Sequence, residues 1–154
     1  MSRHRVTRHG SREYFQRDLH SLPSIMNSLN LNYLRALYDF LIGKNDEELE
    51  EFDVNSIANQ KKLFEEMRRS FLTFGPTSKK NIISGLNYIL VNFSDDDLWR
   101  SAIPHDLPLN RVADRQSYLK GILFALTDAS PTLVNLDDFN LIDEIGPRGL
   151  DYSK

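Results

Sequence analysis

A chain of 154 residues, 40% hydrophobic and 27% charged, has the length and balance of one ordinary globular domain that can bury a core without covalent staples. It contains no cysteine, which excludes disulfides, thiolate metal sites and thiol nucleophiles. Its formal charge of −3 is uneven: Arg3, Arg5, Arg8, Arg12 and Arg17 against Glu13 and Asp18 leave residues 1–20 at +3 and the rest at −6, and an acidic body repels nucleic acid and attracts basic proteins.

Residues 1–23 show neither helical nor strand periodicity and are punctuated by Gly10, Ser11, Ser21 and Pro23. They read as a flexible arginine-rich arm in which His4, His9 and His20 are solvated. No apolar stretch follows the arginines, so a secretory signal is not expected. No apolar run approaches the ~20 residues of a membrane span. A cytoplasmic location without membrane contact is the expectation.

From residue 24 to about 146 a helical domain is predicted. Leu34, Leu37, Tyr38 and Leu41 share one helical face, with Asn30 to cap it and Gly43 to end it. Asn45 can cap a short acidic helix, whose first-turn carboxylates suit the positive end of the helix dipole. Asn55 or Ser56 opens the next helix, with Ile57, Phe64, Met67, Phe71 and Phe74 as its buried stripe, and Gly75-Pro76 stops it. Ser78 is the expected cap of a helix that turns Ile82, Ile83, Leu86, Ile89, Leu90 and Phe93 inward. Ser94 before Asp95-Asp96-Asp97 reads as a further cap, leading to Leu98, Trp99 and Ile103.

Beyond a loop bracketed by Pro104 and Pro108, Asn110 is expected to open a helix with Leu119, Ile122, Leu123 and Leu126 on one side. A last short helix is expected around Phe139-Asn140-Leu141-Ile142, and Gly146-Pro147 then releases a polar tail over 147–154. Gly85 and Gly121 each interrupt an apolar helix. A mid-helix glycine costs ~1 kcal/mol against alanine, so close helix approach is the expected compensation. The fold class is all-α, a single compact bundle of about five or six helices.

The densest chemistry is Asp46-Glu47-Glu48-Leu49-Glu50-Glu51-Phe52-Asp53, six carboxylates in eight positions with no basic residue among them. Such a block either solvates itself while capping a helix or offers a docking surface to a basic partner. Leu49 and Phe52, three apart, could anchor a partner or pin the segment to the core. The other patterns read as structure. Asp95–Asp97 lacks the alternating ligands and glycine of a calcium loop. His105-Asp106 lacks the upstream histidine that helical metal-dependent phosphohydrolases need. Gly75-Pro76-Thr77-Ser78-Lys79-Lys80 lacks the glycine spacing of a phosphate loop. Tyr33, Tyr38, Tyr88, Trp99 and Tyr118 could stack on a ligand, but helical spacing favours packing. No catalytic constellation, metal site or cofactor is expected.

The acidic stretches Asp46–Asp53 and Asp95–Asp97, in a cysteine-free body without catalytic machinery, make residues 24–145 resemble the small bacterial immunity proteins that neutralise toxin domains, including those of contact-dependent growth inhibition systems. That resemblance implies stoichiometric inhibition of a basic protein, such as a toxin nuclease domain, through Asp46, Glu47, Glu48, Glu50, Glu51, Phe52 and Asp53. A second reading is a helical regulatory or adaptor protein whose basic arm contacts nucleic acid or an acidic partner; nucleic acid contact is expected only through that arm. A helical hydrolase using His105 and Asp106 is a third.

Overall fold

The computed structural model describes residues 27–132, 134–142 and 150–154. The arm expected over 1–23 lies outside the described residues. Among those described the chain is mostly helical. A 3-10 helix at Leu31–Leu41 is followed by α1 (Asp46–Glu50), α2 (Ile57–Thr73), α3 (Pro76–Val91), α4 (Asp96–Ala102) and α5 (Arg115–Thr127). Two short strands, β1 (Asn27–Leu29) and β2 (Phe139–Leu141), pair in parallel, Asn27 opposite Phe139 and Leu29 opposite Leu141.

The first helix keeps the expected residues inward but winds more tightly. Leu31, Leu34 and Leu37 repeat every three residues, the spacing at which 3-10 side chains eclipse, and Tyr38 and Leu41 are buried one position over. A spacing of three serves both the 3.6-residue and the three-residue period, so the sequence pattern does not separate them. Asn30 caps it, its side-chain oxygen accepting from the Asn32 N–H at 2.9 Å.

The core is built where this helix packs against α2, α3 and α4, with α5 laid across α2 and α3. Leu34, Leu37, Tyr38, Leu63, Met67, Ile82, Leu86, Ile89, Leu119 and Ile122 are at most 2% exposed. The α5 face reads as expected, with Leu119, Ile122, Leu123 and Leu126 all buried. The α2 stripe needs one correction. Ile57 is 87% exposed, because α2 meets the core only from Leu63 onward and its first turn overhangs it.

Several helix starts differ from expectation. Gly75, not Ser78, is the N-cap of α3, and Pro76 sits in its first turn, where the missing N–H costs nothing. Asp95, not Ser94, caps α4, accepting from the N–H groups of Asp97 at 2.9 Å and Leu98 at 3.1 Å. Asp114, not Asn110, caps α5, accepting from the Ser117 N–H at 3.0 Å. The segment Phe139–Leu141 is β2 rather than a helix. Ile142 donates its N–H to Leu29 O at 2.9 Å, and the Phe139 ring meets Tyr88 edge-on at 6.0 Å, so distant pairing overrides the local pattern.

The two mid-helix glycines part company. A Cβ on Gly121 would lie 2.6 Å from Phe64 Cε2, so α2 and α5 approach closely there, as expected. A Cβ on Gly85 would meet nothing nearer than Leu31 Cδ2 at 3.4 Å, an ordinary contact. Arg68 completes the α2–α5 packing, donating to Ala125 O at 2.5 Å and to Asp128 Oδ2 at 2.9 Å. A cation there favours the negative end of α5. Between the 3-10 helix and α5 the Tyr38 and Tyr118 hydroxyls meet at 3.0 Å, and Tyr38 donates to Ala102 O at 2.7 Å. Among the described residues, no helix is long and apolar enough to cross a membrane.

Candidate functional site

The acidic block is held rigidly by its own sequence at one end and by distant amides at the other. At its start Asn45 and Glu48 form a reciprocal capping box. The Glu48 N–H donates to Asn45 Oδ1 at 2.8 Å and the Asn45 N–H to Glu48 Oε2 at 3.2 Å. At its end two loops are laced together. Asn110 Nδ2 donates to Asp53 Oδ1 and its Oδ1 accepts from the Val54 N–H, both at 2.7 Å. Asn55 Nδ2 donates to Arg111 O at 2.9 Å and its Oδ1 accepts from the Ala113 N–H at 2.8 Å. The Asn110 amide, then the Asn55 N–H, hold the Asp53 carboxyl below its ordinary range.

Between these clamps Leu49 is 3% exposed and Phe52 is half-buried against the core. They pin the segment to the core, with Phe52 left partly exposed. Asp46, Glu47, Glu48, Glu50, Glu51 and Asp53 all face solvent. None of these six carboxylates forms an ion pair with a basic side chain among the described residues.

Five of the other described acidic groups, Glu66, Asp96, Asp97, Asp106 and Asp128, are offset by arginines of the chain. Asp96 pairs with Arg115 at 2.7 Å and Asp97 lies 3.7 Å from Arg100. The Arg115 guanidinium also stands over the Trp99 ring, 4.9 Å from its centroid, a cation–π contact that fixes it beside Asp96. Asp95–Asp97 is therefore a cap with its own counter-charges, separate in character from the first block. Asp106 receives both guanidinium nitrogens of Arg35, at 2.6 and 3.1 Å, in a bidentate pair across 71 positions of sequence. No cluster of His, Asp and Glu able to hold a metal occurs among the described residues. The aromatics pack rather than form a stacking platform. Tyr38, Tyr88 and Tyr118 are buried, and Trp99 meets Tyr118 edge-on at 6.1 Å.

Asn55 and Asn110 enter the sequence reading only as helix starts, not as site residues. Only the Asx-turn spacing Asp53-x-Asn55 hints at one of them, and the cross-loop lacing has no local signature. A shallow depression of about 330 Å³ lies elsewhere, lined by Ala36, Asp39, Arg69, Ser70, Thr73 and Phe74. Arg69 is drawn to Glu66 on its own helix. Burial raises the Asp39 carboxyl, with Arg35 opposing.

With this geometry in hand, neither a protein-family model, nor a curated protein, nor a solved structure matches the chain.

The bonded carboxyls set an acid limit. Arg35 lowers Asp106, Arg115 lowers Asp96, and N–H donors from Ser117 and Asn110 with Asn55 lower Asp114 and Asp53. A depressed carboxyl stabilises the fold fully above its unfolded value, 3.8 here, and loses that contribution as pH falls through the folded value. Stability is therefore expected to stay level from pH 7 to about 5 and to fall below about 4. Urea midpoints measured across that range check this, and a midpoint falling already between pH 7 and 6 would contradict it.

Proposed function

We propose that this protein is a non-enzymatic binding module, an immunity-type inhibitor that neutralises a basic partner in the cytoplasm by stoichiometric contact with its acidic surface. A cationic toxin domain, such as a nuclease, is the partner that fits. The observation carrying this reading is the contrast between the two acidic stretches. Arginines of the chain offset Asp96, Asp97 and Asp106, while Asp46, Glu47, Glu48, Glu50 and Glu51 stand exposed without a described counter-charge on a backbone fixed at both ends. A rigid like-charged surface speeds encounter with an oppositely charged protein and loses little entropy on docking. Charge sets chiefly the association rate, and desolvated contacts around the partly exposed Phe52 slow release.

The test separates charge from fold. Glu47, Glu50 and Glu51 are changed together to lysine, and Glu48 is spared because it closes the capping box. Wild-type protein immobilised on a resin should capture a basic protein from its native cells that the triple variant does not. With that purified partner at low salt, the association rate should fall by about tenfold or more, with far-ultraviolet circular dichroism and melting unchanged. Equal association rates for the two forms remove the acidic surface from the mechanism. Deleting residues 1–20 distinguishes the arm-dependent regulator, since a body-borne inhibitor retains its partner and an arm-borne regulator loses it.

A further inference from the structure

The N-terminal turn of α3 has no side-chain cap of its own, because its N-cap is Gly75. The cap arrives from the far end of the chain. Asp151 Oδ1 accepts from the Ser78 N–H at 2.6 Å, and its Oδ2 accepts from the Thr77 N–H at 3.1 Å. Ser78 Oγ, fully buried, accepts from the Asp151 N–H at 2.8 Å. Two further backbone bonds flank an antiparallel bridge between Phe74 and Tyr152. The Gly75 N–H donates to Asp151 O at 2.8 Å, and the Ser153 N–H donates to Thr73 O at 2.9 Å. Glycine is required at 75, since a Cβ there would run into the Asp151 carboxylate.

Residues 150–154, expected as a released polar tail, thus lie bonded across the α2–α3 junction. Leu150 packs partly buried against the core, and beyond it the attachment is mainly polar, with the Tyr152 ring edge-on to Phe74 at 5.8 Å and still 61% exposed. Segments that bury little apolar surface open well below the free energy of global unfolding. Beneath the strap Phe74 is 4% exposed; it also lines the 330 Å³ depression and follows the exposed Leu72 by two positions.

We infer that residues 151–154 form a releasable strap that opens as a unit while the bundle stays folded, and that its opening uncovers Phe74 and extends the adjoining depression across the α2–α3 junction. Asp151 is the catch, because it alone bonds both the first turn of α3 and the bridge. Opening converts a closed polar seam into an apolar surface that includes Leu72 and Phe74.

Native-state amide exchange on the full chain tests this. In the wild type, the amides of Gly75, Thr77, Ser78 and Ser153 should exchange at one shared rate, ~tenfold or more above those of Ile82 and Ile89 in the α3 core. Asp151→Ala should raise those four by a further factor of about ten and leave Ile82 and Ile89 unchanged. Asp151→Asn keeps an acceptor oxygen and should recover most of the protection. Exchange of the four amides at the Ile82 and Ile89 rate overturns the inference, and so does Asp151→Ala loosening core and junction alike. The wild-type comparison decides the point even where the alanine variant does not fold.

Discussion

Removing the Tyr38 hydroxyl is expected to destabilise the fold by about 1–3 kcal/mol, and removing that of Tyr118 by only about 0.5–1.5 kcal/mol. The difference follows from the direction of the bonds. The Ala102 carbonyl can only accept, so the Tyr38 proton points to it at 2.7 Å, and Tyr118 must then donate to the Tyr38 oxygen at 3.0 Å. Tyr38→Phe strands two buried groups at once, the Tyr118 hydroxyl and a carbonyl at the C-terminal end of α4. Tyr118→Phe strands none, since Tyr38 keeps its acceptor. Both rings are at most 2% exposed, so water cannot step in without a rearrangement. Burial pushes both phenols above their ordinary range. Urea unfolding of the two variants is the measurement, and losses of equal size would mean the relay runs otherwise.

Gly121→Ala should cost about 1–3 kcal/mol even though alanine is the better helix former. The added methyl falls 2.6 Å from the Phe64 ring edge, and that ring is not free to swing away. It packs edge-on against Tyr118 at 5.4 Å. Gly85→Ala is the internal control. Its methyl would sit in ordinary contact, 3.4 Å from Leu31 Cδ2, so the propensity gain of up to about 1 kcal/mol should appear as stabilisation. A double-mutant cycle assigns the cause. In a Phe64→Leu background the Gly121→Ala penalty should shrink by at least half. A penalty that survives intact in that background would place the strain somewhere other than the α2–α5 crossing.

Much of the bundle was readable from local pattern because its helices carry apolar residues at spacings of three and four. The α5 face and the Asn45–Glu48 box needed nothing beyond neighbours in sequence. The acidic block likewise announced itself, since charge is a property of the residues alone. Its rigidity did not, because the Asn110–Asp53 and Asn55–Ala113 bonds join loops more than fifty positions apart. Other misreadings share that origin. Ser78 looked like a cap because a serine follows a Gly-Pro break, yet its hydroxyl is claimed by Asp151, 73 positions away. Phe139–Leu141 looked helical because three residues are too few to show a period of two. Ile57 fell on the right helical angle but the wrong side of the point where α2 reaches the core.

The parallel pairing of β1 with β2 has a consequence for synthesis of the chain. The first described strand waits for a partner at Phe139–Leu141, and the first turn of α3 waits for Asp151. A growing polypeptide can assemble the 3-10 helix with α2 and α3 early, from contacts close in sequence. It cannot close the sheet or finish the α3 terminus until residues 139–151 have left the ribosome. Emerging chains therefore carry an incomplete bundle with an open strand edge, and chains truncated before residue 139 should be the most prone to aggregate.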